Sequence, residues 1–106
     1  MNDVFKALAD PTRRDILRML AQHPASINTI AEQFDMTRPA VSKHIKILQQ
    51  SNLVDIEVDA SDARQRNCYL QLEALQEVEE YITALEIFWK NRLHGLGSYL
   101  QRKHQL

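Results

Sequence analysis

A mainly α-helical fold with one small β-hairpin and a long helix at its C-terminal end is predicted by three features of this sequence. Apolar residues recur at three- and four-residue steps through much of residues 1–52 and again from residue 74 onward. Between these regions, 53–58 and 65–72 alternate apolar and polar residues around the polar stretch 59–64, the pattern of a hairpin. With only two glycines and three prolines, the chain has few turn formers for a β-sandwich, while its Leu, Ile, Ala, Glu, Gln and Lys runs favour helix.

Taken in order, Asn2 to Leu8 suits a short first helix, with Val4, Phe5 and Leu8 on one side. Asp10 is a good N-cap and Pro11 fits the first helical position, so a second helix is expected over Thr12–Ala21, ended by Gln22-His23-Pro24. Ser26 or Asn28 caps a third helix reaching about Phe34, with Ile27, Ile30, Ala31 and Phe34 at helical spacing. Asp35-Met36 is a tight connection and Thr37 caps a fourth helix, so residues 27–52 read as a helix-turn-helix. The hairpin over 53–72 follows at once, which makes the arrangement a winged helix-turn-helix. From Ala74 to about residue 102, Leu75, Val78, Ile82, Leu85, Trp89, Leu96 and Tyr99 form a stripe that Tyr81, Phe88, Leu93 and Leu100 widen. A helix of nearly thirty residues spans about 40 Å. Its stripe calls for more cover than the preceding residues supply, so a homodimer is expected, with Gly95 and Gly97 weakening the helix late.

The length of 106 residues, 44% hydrophobic and 25% charged, is that of one folded domain, 1–106, rather than a disordered chain. A single cysteine, Cys68, excludes an internal disulfide and any zinc site with two thiolates from one chain. The N-terminus lacks the apolar core of a signal peptide, and no apolar run approaches the roughly 20 residues that span a bilayer. A cytoplasmic protein without a membrane partner is therefore expected. Charge is unevenly placed. Residues 1–52 carry seven Lys/Arg against five Asp/Glu, 53–86 two against nine, and 87–106 four against none. The basic density is thus local, as one binding face requires.

That face is the helix within 37–52. It carries Arg38, Lys43 and Lys46, and no acid occurs from Met36 to Asn52. At 100° per residue, Arg38, Gln49, Ser42, Lys46, Pro39, Gln50 and Lys43 fall in one arc of about 140°. Val41, Leu48, His44, Ala40, Ile45 and Ile47 take the other half. The arc suits the major groove of double-stranded DNA. Arg38 would reach guanine edges, Ser42 and Lys46 would follow in the groove, Lys43 and Thr37 would hold phosphates, and Gln49 is a further DNA-binding candidate on the same arc. His44, on the apolar half, is expected to pack and donate to backbone rather than meet a base. Arg64 and Arg66 are the cations of the hairpin and candidates for phosphate or minor-groove contact, while Asp55, Glu57, Asp59 and Asp62 would repel phosphate and should face away. Cys68, alternating with Leu70 and Leu72, is expected as a buried structural thiol. No nucleophile–base set, glycine-rich phosphate loop or facing acid pair stands out, so no enzyme activity, metal or cofactor is expected.

Phe5-Lys-Ala-Leu-Ala-Asp-Pro-Thr-Arg-Arg-Asp-Ile-Leu17, Ile30-Ala-Glu-Gln-Phe34 and Arg38-Pro-Ala-Val-Ser-Lys-His-Ile-Lys-Ile-Leu48 together resemble the ArsR-type winged-helix repressors over nearly the whole chain. Phe88-Trp-Lys-Asn-Arg-Leu93 resembles a non-metal subgroup related to the SdpR autorepressors. The resemblance implies a homodimer held by its first and last helices, through Val4, Phe5, Leu75, Val78, Ile82, Leu85, Phe88, Trp89 and Leu96, that represses transcription from an imperfect palindrome. It leaves room for an unidentified small-molecule or protein effector. The family's metal sensors carry paired cysteines on the first helix of the helix-turn-helix, where this chain has Ile27-Asn-Thr-Ile-Ala-Glu-Gln-Phe34. Glu77, Glu79, Glu80, His94 and His104 also miss the spacing of the sensor site on the last helix. A metal- or ligand-sensing repressor and a winged-helix protein-interaction module are the alternative functions.

Overall fold

A computed structural model describes residues 3–93 of the chain. The elements run α1 (Val4–Ala9), α2 (Pro11–Gln22), β1 (Ala25–Ser26), α3 (Ile27–Gln33), α4 (Arg38–Gln50), β2 (Val54–Val58), β3 (Arg66–Leu70) and α5 (Leu75–Leu93). The described backbone forms two compact units that divide between Gln76 and Glu77. The expectations for His94, Gly95, Leu96, Gly97, Tyr99, Leu100 and His104, and for the helix beyond Leu93, lie outside the described residues.

Local chemistry sets the helix boundaries in the first unit. Asp3, Asp10, Ser26 and Thr37 are N-caps whose side chains accept from backbone N–H groups of Phe5, Arg13, Thr29 and Ala40. Both helices of the helix-turn-helix end in the same device. After α3, Asp35 takes φ 51°, and the N–H groups of Met36 and Asp35 donate back to the carbonyls of Ala31 and Glu32. After α4, Asn52 takes φ 60°, and Leu53 and Asn52 donate to Leu48 and Gln49. These are Schellman closures, which need a residue that tolerates the left-handed region, and Asp and Asn do so more readily than bulky residues. The first closure shortens the α3–α4 turn to four residues. The second joins buried Leu48 to buried Leu53 and delivers the chain into β2.

The sheet has three strands in the order β1-β3-β2, all antiparallel, where the sequence suggested only the hairpin. The added strand pairs Ala25 with Cys68 and Ser26 with Asn67. Pro24 helps to make it, since a residue before proline is pushed out of the helical region. His23 is accordingly extended, at φ −165° and ψ 153°.

The core of this unit gathers Val4, Ala7, Ile16, Leu20, Ile27, Ile30, Val41, Ile45, Leu48, Leu53, Val54 and Cys68. Burial raises the Cys68 thiol to about 11, which fits a structural, unreactive side chain. α4 is central, packing against α1, α2, α3 and β2. Two alternating positions are not buried as their pattern suggests. Leu72 lies past the end of β3 and Val58 at the wing end of β2, and both are exposed.

α5 has no buried residue. Tyr81, Ile82, Leu85, Phe88 and Trp89 are all at least half exposed. At 100° per residue these positions share one arc of about 140° with Leu75, Val78 and Leu93. Ile87 stands on the other side, among charged residues.

Candidate nucleic-acid interface

Exposure along α4 follows the helical period. Arg38, Lys43, Lys46 and Gln49 are exposed and Ser42 is half-buried, while Val41, Ile45 and Leu48 have no exposed surface. The cationic arc is therefore a real surface, held outward because the opposite half of the helix is the middle of the core. Thr37 is exposed as well, and its hydroxyl accepts from Ala40 N–H at 3.3 Å, so it starts the helix. Among the described residues no carboxylate lies within 4 Å of Arg38, Lys43 or Lys46. Their charges are available to an external anion.

Two cations at the start of α2 are used internally. Arg13 donates through Nε to Ala7 O (2.8 Å) and through Nη2 to Lys6 O (3.0 Å). Arg14 donates through Nη1 to Leu8 O (2.8 Å) and Ala9 O (3.1 Å). Lys6, Ala7, Leu8 and Ala9 are the last four residues of α1, whose carbonyls have no partner within the helix. Two arginines from α2 thus satisfy all four. The Asp10-Pro-Thr-Arg-Arg14 segment is a joint. Asp10 caps α2, Pro11 turns the chain, and the arginines reach back to close α1. The roles of Asp10 and Pro11 are legible in the sequence; those of the arginines are not. Arg18 pairs with Asp15 at the surface.

His44 is half-buried, and the expected donation to backbone is not what the structure shows. Its Nδ1 lies 3.4 Å from Arg13 Nη1 and 3.9 Å from Asp10 Oδ2. Nearby carbonyls of α4 already accept within their own helix, so the ring meets the start of α2 instead. Asp10 is held below the usual carboxylate range, chiefly by the Arg13 N–H it accepts and further by the charges of Arg13 and His44.

The wing separates its charges by strand register. Val54 faces Leu70, Ile56 faces Cys68 and Val58 faces Arg66, so these pairs share one face of the hairpin. Asp55 with Tyr69 and Glu57 with Asn67 share the other. Arg66 therefore continues, at the exposed wing end, the face that carries buried Val54 and Cys68, and the two strand acids lie on the opposite face. Arg64 is almost wholly exposed, with Asp62 Oδ1 3.7 Å from its Nε, a surface pair of little strength.

Asp59 serves the wing itself. Its carboxylate accepts from Ser61 N–H and Oγ, from Asp62 N–H and from Asn67 Nδ2. Those bonds, the Ser61 and Asn67 side chains first, hold its carboxyl at about 2. A carboxyl lowered on folding stabilises most above its unfolded value of 3.8 and loses that contribution as pH falls toward 2. In a side-chain NMR titration, Asn67 amide shifts are expected to hold steady to about pH 3 and to reach the midpoint of their change near pH 2. In Asp59→Asn that step should vanish; its persistence would show that another group orders the turn.

The residues expected at a dimer interface divide. Val4 is buried in the first unit, at 3% exposure, and has almost no surface left for a second copy. Phe5, Leu75 and Val78 are half-buried. Ile82, Leu85, Phe88 and Trp89 are exposed, and Leu96 lies outside the described residues. Among the described residues, no group of three His, Cys, Asp or Glu is placed to hold a metal ion, and no helix is long and apolar enough to cross a membrane.

Four capped helices, a tight α3–α4 turn and a hairpin directly after the basic helix define a winged helix-turn-helix protein. Comparison with known proteins agrees. A family profile described as a helix-turn-helix domain matches residues 8–57. The HTH-type transcriptional regulator Rv2034 of Mycobacterium tuberculosis is 35% identical over 96 residues, covering 91% of this chain and 84% of that protein. The transcriptional repressor SdpR of Bacillus subtilis is 44% identical over 54 residues, 51% of this chain, and that match spans only 60% of SdpR. The crystal structure of an ArsR family transcriptional regulator, RHA00566, superposes with a TM-score of 0.74 at 32% identity, over 85% of this chain and 97% of that one. The chain belongs to the ArsR-type winged helix-turn-helix transcriptional regulators.

Proposed function

We propose that this chain is a homodimeric transcriptional repressor of the cytoplasm that reads a palindromic operator in double-stranded DNA, one α4 in the major groove of each half-site. The observation that carries the reading is the exposed arc of Arg38, Ser42, Lys43, Lys46 and Gln49, which has three unpaired cations and no acid. Arg38, in the first turn, has the fork of donors that pairs with guanine O6 and N7, Lys46 follows in the groove, and Lys43 supplies a phosphate contact. Arg66 on the wing is the candidate for a further phosphate or minor-groove contact, with Arg64 beside it. A dimer would set the half-sites one helical turn, or a multiple of it, apart. The exposed apolar arc of α5 supports that dimer, since such a surface is poorly tolerated in water. The name of SdpR supports repression as the outcome.

Selection of bound duplexes from random DNA, followed by a mobility-shift titration, tests the reading. A salt-sensitive, sequence-selective shift is expected, and its absence at sub-micromolar protein would refute the proposal. Lys43→Ala should weaken selected and random duplexes alike and lower the salt slope by about one. Arg38→Ala should cost about tenfold or more on the selected site alone and relax selectivity at one base pair. Equal losses on both DNAs for both variants would overturn that division of roles.

A further inference from the structure

The Arg13–His44 contact joins the α1–α2 joint to the middle of α4. Two donors of the guanidinium are already committed to Ala7 O and Lys6 O, which fixes the plane of the group and presents Nη1 to the imidazole at 3.4 Å. A guanidinium has donors only, so His44 Nδ1 must be the acceptor, and the ring proton belongs on Nε2. At this length the bond is weak on its own, but its donor is held by two shorter bonds. His44 lies almost diametrically opposite Ser42 around α4, away from the cationic arc. It would act on DNA through the placement of the helix and not by touching a base.

We propose that Arg13 and His44 are positioning residues for α4: neutral His44 accepts from Arg13, and protonation of the ring breaks this tie and turns the imidazole toward Asp10. The inference rests on the DNA-binding reading of α4. Once protonated, both ring nitrogens are donors and the ring is a cation facing a guanidinium. The neighbouring acceptor is Asp10, whose Oδ2 is 3.9 Å away, too far for a hydrogen bond until the ring moves. The charged surroundings are accounted for. From α2 comes Arg13, and from the N-cap of α2 comes Asp10. From α1, Lys6 contributes its carbonyl to Arg13 and keeps its exposed side chain. On α4 itself Lys43 is exposed. Glu32 of α3 and Asp55 and Glu57 of β2 are exposed and beyond 4 Å. Asp10 is thus the one described carboxylate within reach.

Purified protein is compared at about pH 8 and about pH 5.5. Binding to a selected operator duplex and to random duplex is followed by fluorescence anisotropy, and ring nitrogens by ¹⁵N NMR. Wild type should show the Nε2–H tautomer at the higher pH, and its ratio of operator to random affinity should fall about fivefold or more on acidification. His44→Gln, whose amide oxygen can accept from Arg13 without titrating, should keep a flat ratio. Arg13→Lys retains the charge but not the three-way fork, and should lower the ratio already at the higher pH. A proton on Nδ1 at the higher pH, a ratio that is constant or rises on acidification, or an equal fall in His44→Gln overturns the proposal. If wild type binds no duplex at any pH, the DNA reading fails by itself. The tie is then decided by backbone amide shifts of residues 38–50, which should follow the His44 titration in wild type and not in His44→Gln.

Discussion

Ile45→Ala is expected to destabilise the protein by about 2–5 kcal/mol in urea unfolding followed by far-ultraviolet circular dichroism, at fixed protein concentration. Ile45 has no exposed surface and stands mid-way along the buried half of α4, the helix against which α1, α2, α3 and β2 all pack. Its truncation opens a cavity inside the core, which the surrounding structure closes only in part. Against a typical total of about 5–15 kcal/mol, such a loss leaves a sizeable unfolded fraction at ambient temperature. Lys46→Ala, one residue on and exposed, should change stability by about 0.5 kcal/mol at most. The two substitutions thus separate the halves of one helix: the first removes fold, the second removes charge. Equal stabilities for both variants would mean that α4 is not the centre of the core.

The same segregation explains why α4 was legible in the sequence. Its buried and exposed residues alternate with a period of 3.6, its cap is a threonine, and its cations stand on one arc, all visible without coordinates. The joint between α1 and α2 was not legible in this way. Arg13 and Arg14 read as surface charge on a helix, and only the turn at Pro11 reveals that they point back at the carbonyls they close. β1 escaped because two residues carry no period, and what makes them a strand is pairing with Asn67 and Cys68, more than forty positions away. His44 was placed on the correct side of its helix but given the wrong partner, since a helical wheel shows where a ring points and not what another element offers it. Leu72 and Val58 show the converse limit: alternation in sequence runs on after the packed surface that rewards it has ended. Asp59 was read as a repulsive charge, whereas its bonds within 59–67 make it the organiser of the wing turn.

Replacing both Leu85 and Trp89 by lysine is expected to abolish the dimer in analytical ultracentrifugation and to lower affinity for a palindromic operator by about 10²–10⁴-fold. Both side chains are at least half exposed at the centre of the apolar arc of α5. Lysine keeps the helix, because its helical propensity is close to that of leucine. It also adds positive charge, which by itself would strengthen binding to DNA, so a loss of affinity cannot be charge repulsion. The size of the loss follows from linkage. In a dimer, occupation of one half-site presents the second α4 to the other half-site at a high effective concentration, and a monomer forfeits that gain while keeping its contacts with a single half-site. Affinity for an isolated half-site should therefore change little. A double variant that still sediments as a dimer, or a monomeric variant that binds the full operator as tightly as wild type, would separate α5 from DNA recognition and leave the exposed arc to another partner.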